Sequence, residues 1–265
     1  NLASTRLLAV VRYQQKKFAG AFVAVEAAIA LDPKTAEIWV LRSVILHGLG
    51  RLEDAVASVT KATELDPGDR HAWYNRGFFL NDLGRFQESL DCYDRTLKIE
   101  VTADSLANRA GVLIHLKRTT EALESCDRAL ALQPDHLPAL SNRALALAEL
   151  RRHVEAIAAF DKVLAVAPDL AQVWNNRGTV LRQIHLDAEA LASFERAVAL
   201  DPGSMAAWCN RAGSLFSLKR YDEARASFER ALTVRAPRTS LEWDTAGDAL
   251  HGLDRKSTRL NSSHT

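Results

Sequence analysis

The chain has 265 residues, of which 48% are hydrophobic and 25% are charged, and its few glycines and prolines are typical of a helical globular protein rather than a disordered one. The formal net charge is +1, and acidic and basic residues are interleaved along the whole length, so no basic block predicts nucleic-acid binding. No apolar run approaches the roughly 18 residues that a membrane-spanning helix needs, and we expect no membrane insertion.

Two kinds of residue recur along the chain with a spacing close to 34 residues. Prolines that would end helices stand at Pro33, Pro67, Pro134, Pro168 and Pro202, and Val101 occupies the place of a missing proline. Asparagines recur independently at Asn75, Asn108, Asn142, Asn176 and Asn210. Because two unrelated residue types keep one period, the sequence predicts an internal repeat.

Taken in chain order, the period predicts seven repeats, 2–35, 36–69, 70–102, 103–136, 137–170, 171–204 and 205–239, and a partial eighth at 240–253. The pattern of apolar residues within each repeat predicts two amphipathic helices with a tight turn between them. Leu-Gly-Arg or Leu-Lys-Arg marks that turn at Gly50, Gly84, Lys117 and Lys219. Leu-Asp-Pro ends several second helices, because proline lacks an amide donor and disfavours helix in the residue before it.

Large and small residues keep fixed places in these helices. Each predicted first helix from the second repeat onward opens on a large apolar residue, at Trp39, Trp73, Leu106, Leu140, Trp174, Trp208 and Trp243. A small residue follows four positions later, at Ser43, Gly77, Ala110, Ala144, Gly178, Ala212 and Gly247. The second helices carry a bulky residue at Val59, Tyr93, Cys126, Phe160, Phe194 and Phe228. We expect the small residues to let the partner helix approach closely.

This W…G/A…A…F…A…P pattern resembles the tetratricopeptide repeat family from residue 2 to about residue 253. The first repeat departs from the pattern with Thr5 in the aromatic position, and the third repeat lacks its proline. The resemblance implies an all-α fold, a right-handed α-solenoid or superhelix of stacked antiparallel helix hairpins. It also implies that the chain binds a protein or an extended peptide.

Residues 254–265 continue no repeat, and we expect them to be a non-native or disordered tail. The simpler interpretation is a polar tail, but residues 254–264 also resemble the translation of a common short-read sequencing adapter. We therefore expect the array to continue beyond residue 253 in a longer reading frame. The chain starts with Asn1 rather than Met, and we expect the true N-terminus to lie upstream.

The recurring asparagines are the candidate binding residues. They are Asn75, Asn108, Asn142, Asn176 and Asn210, with Tyr74 and Asn175 beside them. In a right-handed stack the first helices line the concave face, and an amide offers a donor and an acceptor to an extended peptide backbone. The row resembles the asparagine ladder of O-linked N-acetylglucosamine transferases. The alternative is that Asn is a consensus residue without a ligand.

We also expect that replacing Asn108, Asn142 and Asn176 with alanine weakens peptide capture and leaves the melting temperature unchanged.

An arginine follows each asparagine, and each second helix carries an acid. The arginines are Arg76, Arg109, Arg143, Arg177 and Arg211, and the acids are Asp94, Asp127, Asp161, Glu195 and Glu229. We expect ion pairs within each repeat, each contributing little when exposed. A row of anion-binding arginines remains the alternative.

Other chemistry is not indicated. The eight histidines lack HxxxH or HExxH spacing, and we find no phosphate loop or GxSxG, so we expect no catalytic residue, metal or cofactor. The family's carboxylate clamp needs Lys and Arg where this chain has Glu37, Val40 and His71, among others. Cys92, Cys126 and Cys209 have no CxxC spacing, so we expect free thiols and a cytoplasmic location.

Two functions follow from these expectations. The first is a non-catalytic scaffold that holds an extended polypeptide. The second is the substrate-recruiting arm of an enzyme similar to the bacterial O-linked N-acetylglucosamine transferases, whose arrays contain similar DRALAL and NRG phrases. The sequence does not identify the partner or the oligomeric state.

Overall fold

A computed structural model describes residues 1–234. The described residues form fourteen α-helices and no strand, which confirms the predicted all-α helical-repeat solenoid class. Within these residues, no helix has both the length and the apolar content to cross a membrane. The last residues of the seventh predicted repeat, the partial eighth repeat and the tail lie outside the described residues.

The helices alternate between 13 and 14 residues, and we call the odd-numbered ones first helices and the even-numbered ones second helices. They are α1 Leu2–Gln14, α2 Phe18–Leu31, α3 Ala36–Gly48, α4 Leu52–Leu65, α5 Arg70–Asp82, α6 Phe86–Ile99, α7 Ala103–His115, α8 Thr119–Leu132, α9 Leu137–Glu149, α10 His153–Val166, α11 Ala171–Gln183, α12 Asp187–Leu200, α13 Met205–Ser217 and α14 Tyr221–Val234. The described residues divide into two compact parts, an N-terminal part of residues 1–146 and a C-terminal part of residues 147–234.

Short polar side chains cap the N-termini of several first helices. The Asp69 carboxylate accepts from the His71 amide, and the Thr102 hydroxyl accepts from the Ser105 amide. Ser204 caps α13 in the same way. Each side chain therefore satisfies a backbone donor that the first turn of a helix leaves without a partner.

The turns between paired helices place one residue in the left-handed region. Gly50 and Gly84 have φ near +74°, and Lys117 and Lys219 have φ of +60° and +62°. The amide after this residue reaches back to the preceding helix, as Arg85 N does to Leu80 O at 2.9 Å. Glycine adopts this backbone without a side-chain clash, whereas lysine holds it under strain.

The predicted close approach of paired helices is confirmed at two glycines. A Cβ added to Gly77 would lie 3.1 Å from the Tyr93 ring, and one added to Gly178 would lie 2.7 Å from the Phe194 ring. In both repeats the bulky residue of the second helix fills the space that the glycine leaves in the first helix. A larger residue at either glycine would force the two helices apart.

Among residues 1–234, a hydrogen bond links each opening tryptophan to the preceding proline loop. The indole nitrogens of Trp39, Trp73 and Trp174 donate to the carbonyl oxygens of prolines six residues earlier at 2.9 Å, and Trp208 does so at 3.1 Å. Leu106 opens the first helix that follows the loop without a proline. The indole bond thus ties the start of each of these first helices to the loop before it.

Candidate functional site

The five candidate asparagines occupy the sixth place of their first helices and are all half-buried. In the N-terminal part they are Asn75, Asn108 and Asn142, and we call the side of the first helices that carries them the asparagine face. In the C-terminal part the corresponding residues are Asn176 and Asn210. This shared place in the helix explains the 34-residue period that identified them.

Two of the asparagines tie neighbouring first helices together. The Asn108 Nδ2 donates to the Tyr74 hydroxyl at 2.8 Å, which joins α7 to α5. The Asn142 Nδ2 donates to the carbonyl oxygen of Ala107 at 2.9 Å, which joins α9 to α7. The Oδ1 atoms of Asn108 and Asn142 accept no hydrogen bond within residues 1–234. Each amide nitrogen therefore supports the packing of neighbouring first helices.

The C-terminal part repeats this tie with a different acceptor. The Asn210 Nδ2 donates to the Asn175 Oδ1 at 3.0 Å, and Arg182 donates to the Asn210 Oδ1 at 3.4 Å. Asn175, a predicted binding residue, is only 9% exposed, and its amide oxygen is engaged in this bond. Asn176 accepts from Gln172 of its own helix at 2.9 Å.

Asn75 differs from the other four asparagines. Its side-chain amide forms no hydrogen bond within the described part of the chain, although it is half-buried. Phe78, three residues later and therefore on the same side of α5, leaves 38% of its surface exposed. The His47 ring packs 5.4 Å from Phe78 and is held by Asp82 at 2.8 Å. An unbonded amide thus stands beside an exposed and well-supported aromatic ring.

Tyr74 lies half-buried beside Asn75 in α5. Its ring meets Tyr93 edge-on at 5.8 Å, and its hydroxyl oxygen accepts from Asn108. Burial, together with the nearby Asp104 carboxylate, raises the pKa of Tyr74 above its ordinary value. The phenol therefore stays protonated at neutral pH, so its O–H remains a hydrogen-bond donor.

The arginines that follow the asparagines pair with acids of the preceding repeat, and we call this series the arginine ladder: Arg109, Arg143, Arg177 and Arg211. Our prediction of ion pairs within each repeat was therefore wrong. Arg109 of α7 bonds Asp94 of the preceding α6 at 2.7 Å, and Arg177 of α11 bonds Asp161 of α10 at the same distance. Arg143 bonds Asp127 at 2.7 Å and Arg211 bonds Glu195 at 3.2 Å, again one repeat earlier. Glu229 instead contacts Arg225 of its own helix. The reason is that a first helix packs against the preceding second helix as well as its own.

Within a repeat three of these four arginines, Arg109, Arg177 and Arg211, bond a serine hydroxyl rather than an acid, whereas Ala159 occupies the serine's place in the repeat of Arg143. Arg109 Nη1 donates to the Ser125 hydroxyl at 2.6 Å, and Arg177 Nη1 donates to Ser193 at 2.7 Å. Sequence reasoning missed these serines, which recur at the seventh place of α4, α8, α12 and α14 as Ser58, Ser125, Ser193 and Ser227. Each such guanidinium therefore bridges two successive second helices.

Arg42 was also outside the predicted series, yet it belongs to the ladder. It bonds Glu26 of the preceding α2 at 2.6 Å and donates to Ser58 of its own repeat. The signal that could have found it is its place, the seventh in its helix, because the residue before it is Leu41 rather than asparagine.

The three cysteines are free thiols, as predicted. Burial raises the pKa of Cys92 to about 11 and that of Cys126 to about 12, and it also raises the pKa of Cys209. Neutral buried thiols pack as small apolar residues and are poor nucleophiles.

His136 has a structural role. Its Nδ1 accepts from the Ala139 amide at 3.2 Å, and its Nε2 contacts Asp104 at 2.9 Å, so it caps α9. Among residues 1–234, no group of three or more His, Cys, Asp or Glu residues is placed to hold a metal ion.

Helical hairpins tied by repeating asparagine and arginine contacts define a helical-repeat scaffold fold. One tetratricopeptide repeat profile matches residues 6–70, 48–100, 141–204 and 175–239, and a second matches residues 101–169. The chain belongs to the tetratricopeptide repeat family. Proteins of this family bind proteins or peptides, and the repeat fold is typically a non-catalytic scaffold. No curated protein matches the chain.

Solved structures agree with this assignment. A tetratricopeptide repeat protein from Parabacteroides merdae matches with a TM-score of 0.78 and 15% identity, over 94% of this chain and 98% of that one. The Cut9–Hcn1 hetero-tetramer of the APC/C matches with a TM-score of 0.78 and 16% identity, over 94% of this chain and 49% of that one. This chain thus spans about half of that relative's length. Both show the fold alone.

A further structure is YrrB, described as a TPR protein with an unusual peptide-binding site. It is 25% identical, with a TM-score of 0.55 over 69% of this chain and 95% of that one.

Proposed function

We propose that the chain is a scaffold that holds an extended polypeptide on its asparagine face. The observation that carries this proposal is Asn75, whose half-buried amide has no hydrogen bond within the described residues and stands beside the exposed ring of Phe78. An amide that donates and accepts is the complement of one residue of extended main chain. The aromatic ring next to it offers an apolar contact for a peptide side chain.

The two following repeats extend this contact along α7 and α9. The Oδ1 atoms of Asn108 and Asn142 are acceptors for amides of a bound main chain, and their nitrogens hold the first helices in register. In the C-terminal part, taken by itself, Asn176 provides an amide nitrogen for the same kind of contact. The peptide-binding site described for YrrB, a relative at 25% identity, supports the same class of ligand.

The hydrogen bonds of Asn108 and Asn142 argue against unchanged melting for the alanine variants of Asn108, Asn142 and Asn176. Removing the Asn142 side chain also removes its bond to the Ala107 carbonyl, at a cost of about 1 kcal/mol in stability. Asn75→Ala removes no bond of the fold. It is therefore the variant that separates binding from stability.

The test selects ligands from a library of unstructured peptides and measures their affinity by fluorescence anisotropy. We expect Asn75→Ala to weaken binding about tenfold, the effect of losing roughly 1.4 kcal/mol of hydrogen bonding, with an unchanged melting temperature. Gln87→Ala, at an exposed residue of the second helix α6, is the control and should bind like the wild type. Equal affinity of the Asn75→Ala and Gln87→Ala proteins would refute the proposal.

Two finer statements belong to the same proposal. The three free thiols suit a reducing environment, and we place the scaffold in the cytoplasm. The alternative function, a substrate-recruiting arm of a glycosyltransferase similar to the O-linked N-acetylglucosamine transferases, rests on the resemblance of its repeat phrases. Recovery of the full reading frame decides between them, because only the arm is followed by a glycosyltransferase domain.

A further inference from the structure

The arginine ladder has one gap. Counting within each helix, the arginine at the seventh place of a first helix meets the acid at the ninth place of the preceding second helix. This holds for Arg42, Arg109, Arg143, Arg177 and Arg211. The sixth arginine, Arg76, forms no ion pair or hydrogen bond within residues 1–234, and its Nε is fully buried.

The sequence explains why Arg76 has neither an acid nor a serine as a partner. Thr60 of α4 stands at the place of the acid, and its hydroxyl does not bond the guanidinium. Cys92 of α6 stands at the place of the serine hydroxyl. Arg76 therefore keeps the position and charge of the other ladder arginines, but it lacks the acid that pairs with each of them and the serine hydroxyl that bonds all of them except Arg143.

No neighbouring acid in the described part of the chain bonds Arg76 in place of the missing one. Glu88 influences Arg76 only through its field, because both of its carboxylate oxygens bond Arg85 at 2.7 Å. The Trp73 ring lies 5.4 Å from the guanidinium carbon of Arg76. This contact covers one face of the guanidinium and leaves its edge, where the N–H donors lie, without a partner.

Of the guanidinium nitrogens of Arg76, only Nε is buried without a partner, so the Nη donors are the ones that reach solvent. In the five complete pairs the side chains of the acids are 43–54% exposed, whereas those of the arginines are 18–28% exposed. An acid at this place therefore lies at the surface, and a group from outside can occupy it at Arg76. A half-buried arginine with a free donor edge is suited to a carboxylate, which accepts two parallel hydrogen bonds.

We propose that Arg76, between Thr60 and Cys92, is a receptor for a glutamate or aspartate side chain of a partner polypeptide, which completes the ladder from outside. The site is distinct from the asparagine face. Arg76 follows Asn75 directly and so points about 100° away from it around α5. The proposal therefore does not depend on peptide binding at Asn75.

The experiment follows the Nε–H resonance of Arg76 by NMR during titration with acetyl-Ala-Glu-Ala-amide at constant ionic strength. We expect a saturable shift of this resonance and no comparable shift at Arg109, whose acid Asp94 is already in place. The matching glutamine peptide should leave both resonances unchanged. Thr60→Asp should abolish the shift, because an internal carboxylate then fills the place.

Three results would overturn the proposal: an Arg76 shift no larger than that of Arg109, an equal response to the glutamine peptide, or a shift that persists in Thr60→Asp. Thr60→Asp adds a bond and removes none, so we expect it to fold. If its circular dichroism differed from the wild type, Arg76→Lys replaces it as the negative control, because lysine lacks the forked donors. The backbone amide resonance of Thr60 is then followed in both proteins, since the variant has no Arg76 Nε–H. An equal shift of the Thr60 amide in the wild type and in Arg76→Lys would also overturn the proposal.

Discussion

Replacing Thr60 with aspartate should stabilise the protein by completing the arginine ladder. The aspartate would stand at the ninth place of α4, where the corresponding Asp94 of α6 bonds its arginine at 2.7 Å. Its partner would be Arg76, whose Nε is buried without a hydrogen bond. Threonine and aspartate have similar helix propensities, so the substitution changes the intrinsic stability of α4 little.

The expected gain is about 1–2 kcal/mol. A partly exposed ion pair contributes roughly 0.2–1 kcal/mol. Giving a partner to a buried donor removes a penalty of roughly 1–3 kcal/mol, and the lower end of this range applies because the Arg76 side chain is only half-buried. Glu64 lies four residues after Thr60, and this like-charge pair costs about 0.2–0.5 kcal/mol. The net effect remains stabilising because the buried Nε gains a charged acceptor.

A double-mutant cycle measures the pair directly. Urea unfolding is compared for the wild type, Thr60→Asp, Arg76→Gln and the double variant, and the coupling free energy should be about 1 kcal/mol. Thr60→Asn is the uncharged control and should gain less than half as much. Since part of the pair is exposed, 1 M NaCl should reduce the coupling.

A coupling near zero, or equal gains for Thr60→Asp and Thr60→Asn, would refute the reasoning. Either result would mean that the guanidinium of Arg76 already has an equally good partner in solution.

Three further predictions test the repeat architecture. Lys219→Gly, at a φ of +62°, should stabilise the protein by about 1 kcal/mol in urea unfolding. Gly84→Ala, at a φ of +74°, should destabilise it by a similar amount. Changes of the same sign in the two variants would contradict the strain argument. Trp73→Phe loses the bond to the Pro67 carbonyl and should cost at least about 1 kcal/mol; no loss would show that the bond is unimportant. Cys126 should react with Ellman's reagent at pH 8 only after unfolding, since burial raises its pKa to about 12; rapid labelling of the folded protein would contradict this.

The fold was accessible from the sequence because the determinants of a repeat are local. The prolines, the opening tryptophans and the small residues such as Gly77 each act within one hairpin, so their spacing alone reveals the architecture. The proximity of Gly77 to Tyr93 follows from packing within a repeat. Sequence position alone was sufficient for this prediction.

The arginine ladder was assigned to the wrong pair of helices for a physical reason. The first helix α7 contacts two second helices, and the sequence places an acid at the same position in both of them, Asp94 and Asp127. Only the structure shows that Arg109 takes Asp94 of the preceding repeat and Ser125 of its own.

The sequence also did not reveal that several of the asparagines bond neighbouring first helices, because the groups that accept these bonds differ in chemistry. The acceptor is a phenol at Tyr74, a backbone carbonyl at Ala107 and an amide at Asn175. No common residue type marks these partners in the sequence, and a ligand row and a structural row would share the same period. The unbonded state of Asn75 could be recognised only from the structure.

Site-specific photo-cross-linking tests the central claim, that a polypeptide lies along the asparagine face, most directly. Benzoylphenylalanine introduced in place of Phe78 is irradiated with a peptide selected from the library, and the same residue in place of Gln87 on α6 is the control. The account predicts a cross-linked product from position 78 that unlabelled peptide competes away, and little or none from position 87. Equal cross-linking at the two positions, or cross-linking at position 87 alone, would contradict it.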